Sequence, residues 1–471
     1  MERATSQRAV GPTVTQTRQL VPMASRADNI ASNLSLANFS KATELKKRIW
    51  FTVVALVVFR FLSFVPLPGI NPIALKQFLD RNAGGVLDFF NMFSGGALSQ
   101  YSLITLGVMP YITASIVVQL AGSLHPSLMA LKKEGESGRR KLNQYSRYGA
   151  VILALIQGYA ALRAAEVQGF AINPGPLFYV AGLISLVGGT MFLLWLGEQI
   201  TSRGIGNGTS LIIMAGIVAQ MPKFISNLFE GGRTGSISGF LIFGLIVMLV
   251  GLVLLICFME RATRRLLIQY PKRASQNGMM QADRSHLPLK LNTAGVIPPI
   301  FASSLLLLPL TITQFAGNSI NADSAWGSFV VTLNQYLGHG KPVYMALYAA
   351  GIMFFAFFYT AVVFNPEETA ENLKRNGGFI PGIRPGKNTA TYLDYVLTRI
   401  TVIGAIYLTI VCVLPEYVIA QTGIGSLFLG GTSLLIVVNV TVDTITQIQS
   451  HLLAHQYGDL IKKAKLKGRI R

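Results

Sequence analysis

Ten stretches of about 20 mostly apolar residues run through this 471-residue chain, at 49–66, 104–123, 148–168, 178–198, 209–228, 237–258, 294–316, 343–364, 396–418 and 427–447. A helix needs about 20 such residues to cross a bilayer core of about 30 Å. Lipid offers no partner to an unpaired backbone N–H or C=O, so helices are the only open-chain solution. The sequence therefore reads as an all-α polytopic membrane protein with ten transmembrane helices. Its charge agrees: 13% of residues are charged, where an ordinary globular domain carries roughly 25%. That excludes a string of water-soluble domains. The two cysteines, Cys257 and Cys412, lie in separate apolar runs and read as packing residues, with no disulfide scaffold or zinc motif.

Orientation follows from the connections, because Lys and Arg stay on the cytoplasmic side. With the N-terminus inside, the inner segments hold 33 of the 40 Lys and Arg residues. An N-in, C-in chain is expected. The formal charge of +20 is then chiefly a topology signal, with anionic lipids or an RNA-bearing cytosolic partner as a second reading. The first 22 residues, rich in Arg, Ser and Thr, read as a disordered tail, as sequence ahead of a start at Met23, or as a transit peptide. Residues 34–48 have the pattern of an amphipathic helix on the cytoplasmic surface.

The two halves of the chain resemble each other. GVMPYITAS (Gly107–Ser115) and GVIPPIFAS (Gly295–Ser303) agree at six of nine positions, and GTSLII (Gly208–Ile213) and GTSLLI (Gly431–Ile436) at five of six. Both pairs are five spans apart, and an odd number of spans inverts the second half in the membrane. The expected architecture is two inverted five-helix halves around a shared axis, where transporter folds place their pathway. The repeats bring Ile112, Ile300, Ile213 and Ile436 to that axis, and Ile116 and Ile217 lie one helical turn further. A waist of apolar side chains excludes ions by dewetting. Residues 84–103, moderately apolar and Gly-rich but too short to span, read as a re-entrant plug in the outer funnel or as a plain outer loop.

Other chemistry is hard to find. His451 and His455 lack the intervening Glu of a zincin helix, no GxxxxGK[ST] loop occurs, and GIGNG (Gly204–Gly208) resembles a phosphate loop only superficially. Asp443, beside Thr441 and Thr444, is the clearest acid in the spans, whereas ion-coupled carriers ordinarily carry several. Gln119, Gln157 and Asn292 are polar residues at interesting sites or else ordinary interhelical glue. A secondary solute transporter stays open as a rival; it predicts a polar site where the isoleucines stand. A membrane-embedded enzyme is more remote, lacking a nucleophile paired with a base.

LITLGVMPYITASIVVQL (103–120), WLGEQITSRGIGNGTSLIIMAGI (195–217), HLPLKLNTAGVIPPIFASS (286–304), GGFIPGIRPGKNTATYLDYVLTRIT (377–401) and GGTSLLIVVNVTVD (430–443) strongly resemble the SecY/Sec61-alpha family of protein translocons, from about residue 44 to the C-terminus. That resemblance implies ten spans around an hourglass pore, which conducts unfolded secretory polypeptides and releases membrane segments sideways through a lateral gate. It implies no intrinsic catalysis and no cofactor.

By the same resemblance the pore ring falls on Ile112, Ile116, Ile213, Ile217, Ile300 and Ile436, the plug on about 90–104, and polar gate positions on Gln157 and Asn292. Docking of cytosolic partners falls on Arg264, Arg265, Lys272, Arg273 and Arg384. Implied partners are SecE and SecG, the motor ATPase SecA, the ribosome, signal sequences and nascent chains, the SecDF and YidC membrane proteins and anionic lipids, in a bacterial inner membrane. The chain is expected to divide into a tail at 1–43, an N-terminal half at 44–228, a C-terminal half at 229–450 with docking loops 259–293 and 365–395, and a tail at 451–471. Two departures stand out: the tip of the first docking loop, Gln276–Arg284, is weakly basic, and the residues before Met23 have no counterpart.

Overall fold

The computed structural model describes residues 43–81, 94–235, 238–270, 284–316, 341–422 and 430–468. All ten apolar runs fall on helices. In chain order the helices are α1 (Thr43–Leu62), α2 (Pro72–Arg81), α3 (Met109–Leu124), α4 (Pro126–Lys133), α5 (Glu136–Val167), α6 (Pro176–Arg203), α7 (Gly208–Arg233), α8 (Gly239–Arg261), α9 (Ile297–Ala316), α10 (Pro342–Val363), α11 (Pro366–Arg375), α12 (Lys387–Thr422) and α13 (Gly431–Gly468). Among the described residues, seven helical stretches are long and apolar enough to cross a membrane. The chain is thus a multi-pass membrane protein.

Several helices overrun their apolar runs. α5 starts at Glu136, well before the apolar residues, and α13 continues to Gly468. Apolarity marks the part of a helix that lies in lipid, not where its hydrogen bonds end. The expected surface helix at 34–48 has no separate existence in its described part, because residues 43–48 open α1, and the rest lies outside the described residues. α8 exposes Phe240, Phe243, Val247, Leu254 and Phe258, the lipid-facing surface required of a helix that is apolar all round.

By compactness the chain divides into two units. One is Arg48–Gln447; the other joins Met1–Lys47 with Ile448–Arg471. The described residues of the second unit are the first turn of α1 and the C-terminal part of α13, which bury Leu45 and Leu452.

Within Arg48–Gln447 the repeat is visible in backbone geometry. Gly107 has φ 58° and Gly295 φ 64°, a left-handed conformation that glycine adopts without cost. Each stands two residues before the start of its helix, α3 or α9, and each helix opens on proline, which needs no N–H partner there. The second repeat is a close approach. A Cβ on Gly208 would lie 1.9 Å from the carbonyl oxygen of Gly197 on α6, and one on Gly431 would lie 1.9 Å from that of Val411 on α12. The α6–α7 and α12–α13 pairs are therefore built alike. Asn207 caps α7, accepting from the Thr209 and Ser210 amides at 3.1 and 3.4 Å.

Two larger clusters form the core. One joins Leu245, Leu252 and Ile256 of α8 to Phe301 of α9, Tyr348, Ile352 and Phe355 of α10, Leu408, Val411 and Cys412 of α12, and Leu435 of α13. The other contains the candidate ring and is described below. An ion pair from Arg147 to Glu198 (2.6 Å) ties α5 to α6.

Among the described residues the one sheet is a hairpin, β1 (Thr263–Gln269) antiparallel to β2 (Arg284–Lys290). Leu266 and Ile268 alternate inward along β1. Beyond the hairpin, Gln269 and Phe379 exchange backbone hydrogen bonds of 2.9 and 3.0 Å. Leu266 and Leu289 then share a small core with Ala370 of α11 and Leu393, Val396 and Ile400 of α12. The two expected docking loops are thus one folded subdomain.

Candidate functional site

Four helices bring the isoleucines together. Ile112 comes from α3, Ile213 and Ile217 from successive turns of α7, Ile300 from α9 and Ile436 from α13. All five belong to one apolar cluster. Ile213, Ile217, Ile300 and Ile436 are 6, 2, 8 and 2% exposed, and Ile112 is partly buried. Ile116 differs: it is partly buried against the neighbouring cluster of α8, α10 and α12. The register supports this arrangement, because Ile300 is the fourth residue of α9 and Ile436 the sixth of α13, set by helix starts that the paired glycines fix.

The segment leading into α3 closes over this cluster. Of the plug helix expected at about 90–104, only 90–93 lie outside the described residues, within 82–93; the remainder is no regular α-helix. From Ser94 on, it makes a turn and a single 3-10 turn at Leu98–Gln100. Ala97 and Ile104 are fully buried in the isoleucine cluster. Leu67 donates its amide to Tyr101 O at 2.8 Å and Leu103 donates to Val65 O at 3.0 Å, a short antiparallel bridge. Tyr101, at φ 45° the only non-glycine with positive φ among the described residues, donates its hydroxyl to Ala161 O on α5 at 2.6 Å. Residues 94–104 are therefore packed structure and not a solvated outer loop.

The gate positions do not meet. α9 lies against α3 and α5, which forms the seam where a lateral gate belongs. Gln157 is half-buried on α5. Asn292 is buried, and its amide is fully engaged elsewhere: Nδ2 donates to Glu260 Oε1 at 2.6 Å and to Gly295 O at 3.2 Å, while Oδ1 accepts from the Gly295 amide at 3.0 Å. Asn292 thus ties α8 to the turn that starts α9.

Glu260 is a residue that sequence reasoning missed. It sits in the last turn of α8, beside Arg261, and looks like an ordinary helix-end charge, yet it is buried. Glu416 of α12 was missed likewise and is buried, whereas Asp443, the acid singled out from the sequence, is exposed. The signal for Glu416 was its position inside the run 396–418. Among the described residues no group of three or more His, Cys, Asp or Glu could hold a metal.

Of the docking residues, Arg264 and Arg265 are exposed on β1, and Arg384 is exposed in the turn before α12, where Thr389 donates its hydroxyl to the Arg384 carbonyl at 3.0 Å. All three stand on the hairpin subdomain. Lys272 and Arg273 lie outside the described residues.

Comparisons with known proteins bear on this geometry. The SecY family model matches residues 102–445. The protein translocase subunit SecY of Rickettsia felis is 52% identical over 439 residues, covering 91% of this chain and 99% of that protein. A solved SecY, described by its plug domain stabilising the closed state of the translocation channel and maintaining a membrane seal, superposes with a TM-score of 0.62 at 18% identity, over 86% of this chain and 92% of that one. Sec61 in the canine ribosome-channel complex from the endoplasmic reticulum superposes with a TM-score of 0.58 at 16% identity, over 86% and 92%. A family model matching most of the chain and relatives about half identical over nine-tenths of it establish that the chain belongs to the SecY family.

Proposed function

We propose that this chain is the channel subunit of a protein translocase. It conducts unfolded polypeptides through the isoleucine waist and releases sufficiently apolar segments into lipid between α3–α5 and α9–α10. The observation that carries this reading is the burial of Ile213, Ile217, Ile300 and Ile436 in one cluster, with Ile112 packed against it, beside the 94–104 segment. Such a waist binds no solute chemically and closes by excluding water. The protein itself performs no covalent chemistry. It offers an extended chain a route that avoids hydrocarbon, where each unsatisfied backbone group costs several kcal/mol.

The subunit sits in the bacterial inner membrane with both termini inside, an orientation that the excess of Lys and Arg in the expected inner segments supports. Ile116 completes the ring when the chain engages a substrate, from its place one turn below Ile112. Residues of the expected plug, about 90–104, lie on the outer side and seal the pore at rest. Arg264, Arg265, Lys272, Arg273 and Arg384 dock the ribosome or the motor SecA, and the ribosome-bound state of the related canine channel supports the first of these. SecE, SecG, SecDF, YidC and anionic lipids are its membrane partners. Gln157 stands on gate helix α5, and Asn292, held by Glu260 in the closed arrangement, reaches the seam only when α9 moves.

Site-specific crosslinking tests the reading. Single cysteines replace Ile112 or Ile300 in a background lacking Cys257 and Cys412, and a stalled secretory chain carries the probe. Adducts at both positions, absent with a cytosolic control chain, are expected. No adduct at either, in correctly inserted complex with its partners, would return the isoleucines to ordinary packing and bring a solute carrier forward.

A further inference from the structure

Arg60 stands in the last turn of α1, which is otherwise apolar from Ile49 to Leu62 apart from Thr52. A charge at the end of an apolar helix ordinarily extends to water or the headgroups, so one held by protein groups instead marks a built contact. Arg60 is only partly exposed, and its Nη1 donates to the backbone carbonyl of Gly95 at 2.8 Å and, more weakly, to Ser63 Oγ at 3.5 Å. Its guanidinium also stands 4.6 Å from the Phe64 ring centroid. Among the described residues no carboxylate lies within ion-pair distance of it.

The acceptor is placed with equal care. Gly95 has φ 71°, and a Cβ there would meet Gly216 Cα on α7 at 3.0 Å and Phe59 Cζ on α1 at 3.1 Å. The carbonyl can reach Arg60 only because this residue is glycine and lies flat between α1 and α7. Two residues on, Ala97 is fully buried in the isoleucine cluster.

From this geometry we propose that Arg60 is the anchor of the closed channel: its hydrogen bond to Gly95 holds the 94–104 segment over the waist and sets how readily the pore opens. The proposal rests on the channel reading above. A carbonyl suits a reversible anchor better than a carboxylate does. A buried ion pair, once broken, leaves two uncompensated charges. Breaking the Arg60–Gly95 bond leaves one guanidinium and one neutral carbonyl, and both are satisfied by water when the pore hydrates. The anchor therefore resists spontaneous opening in the dry closed state and releases when a translocating chain brings water in. A hydrogen bond to a charged group corresponds to roughly a ten-fold change in the closed-to-open ratio, or somewhat more.

The test uses the full translocase complex in vesicles of phosphatidylethanolamine and phosphatidylglycerol. Resting ion leak is read without precursor, and conductance is read with it. Arg60→Met should raise the resting leak about ten-fold and let precursors with weakened signal sequences through, while Arg60→Lys, which keeps a cationic donor on the stem, should restore most of the seal. If the methionine variant fails to assemble, Arg60→Leu, which also lacks a donor, is read in its place with the same expectation. Precursor-dependent conductance in the unsubstituted complex, together with an unchanged resting leak in assembled Arg60→Met or Arg60→Leu, overturns the anchor alone. No precursor-dependent conductance in the unsubstituted complex overturns the channel reading and the anchor with it. A raised leak in Arg60→Lys as large as in Arg60→Met would place the effect in packing against Phe64 and also overturn the anchor.

Discussion

Ile300→Asn should turn a selective channel into a permissive one. Ile300 is 8% exposed in the cluster it shares with Ile213, Ile217 and Ile436. Burying an isoleucine side chain contributes about 1.5–3 kcal/mol, and an unsatisfied buried amide costs about 1–3 kcal/mol more. Both terms act on the closed waist, while a hydrated open pore accommodates the amide. If about half of the combined loss falls on the closed state alone, the closed-to-open equilibrium shifts by about 2 kcal/mol, roughly thirty-fold.

The assay is export of a reporter whose signal sequence has lost part of its apolar core, compared with an intact signal, per molecule of channel in the membrane. Ile256→Asn supplies the control. Ile256 is fully buried, but in the cluster of α8, α10 and α12. It should lower the amount of channel and leave per-molecule selectivity alone. Equal loosening by both variants, or none by Ile300→Asn at normal protein level, would refute the claim that the waist is a gasket.

Three other outcomes follow from the same structure. Arg384→Glu should weaken binding of the ribosome or of the motor several-fold, measured by co-sedimentation with inverted vesicles, with membrane insertion of the channel unaffected; unchanged affinity would remove Arg384 from the docking surface. Gly208→Ala and Gly431→Ala should each lower the steady-state level of folded protein several-fold in quantitative immunoblots, because each Cβ would stand 1.9 Å from a carbonyl oxygen of the preceding helix; near-normal levels would mean the helix pairs can separate cheaply. Glu260→Ala strips the 2.6 Å partner from the buried Asn292 amide and should cost about 1–3 kcal/mol, read as a lower temperature of detergent-extracted aggregation; no change would mean that water replaces the carboxylate.

The spans and the inverted repeat were legible because each rests on a strong local signal. Apolarity of about 20 residues is demanded by the bilayer, and the glycines at 107, 208, 295 and 431 are demanded by backbone conformation or close approach. The hairpin was not singled out, although Leu266 and Ile268 alternate as a half-buried strand does. Seven residues of strand are easily overlooked beside ten long apolar runs, and their pairing with Phe379 joins segments more than a hundred residues apart. Glu260 and Arg60 were opaque for a related reason. A charge in the last turn of a spanning helix normally reaches the headgroups, and only the folded chain reveals that these two turn inward.

Those two residues also expose how an inverted repeat acquires an inside and an outside. The repeat equates α1 with α8 and α3 with α9, so the connection from α1 to α3 corresponds to the one from α8 to α9. Both connections end in a left-handed glycine two residues before the next helix. In each half a charged residue in the last turn of the first helix grips the connection: Arg60 holds Gly95 at 2.8 Å, and Glu260 holds Asn292 at 2.6 Å. The scaffold is therefore shared, and the inserted sequence differs. In the first half it is the small, buried segment that packs Ala97 and Ile104 onto the waist; in the second it is a hairpin presenting Arg264 and Arg265 to solvent. Inversion sends these two connections to opposite faces of the membrane. On the reading proposed above, a seal on one side and a docking surface on the other then need no separate invention. They are one connection used twice, and exchanging the sign of either anchoring residue should disturb only the face that its own half serves.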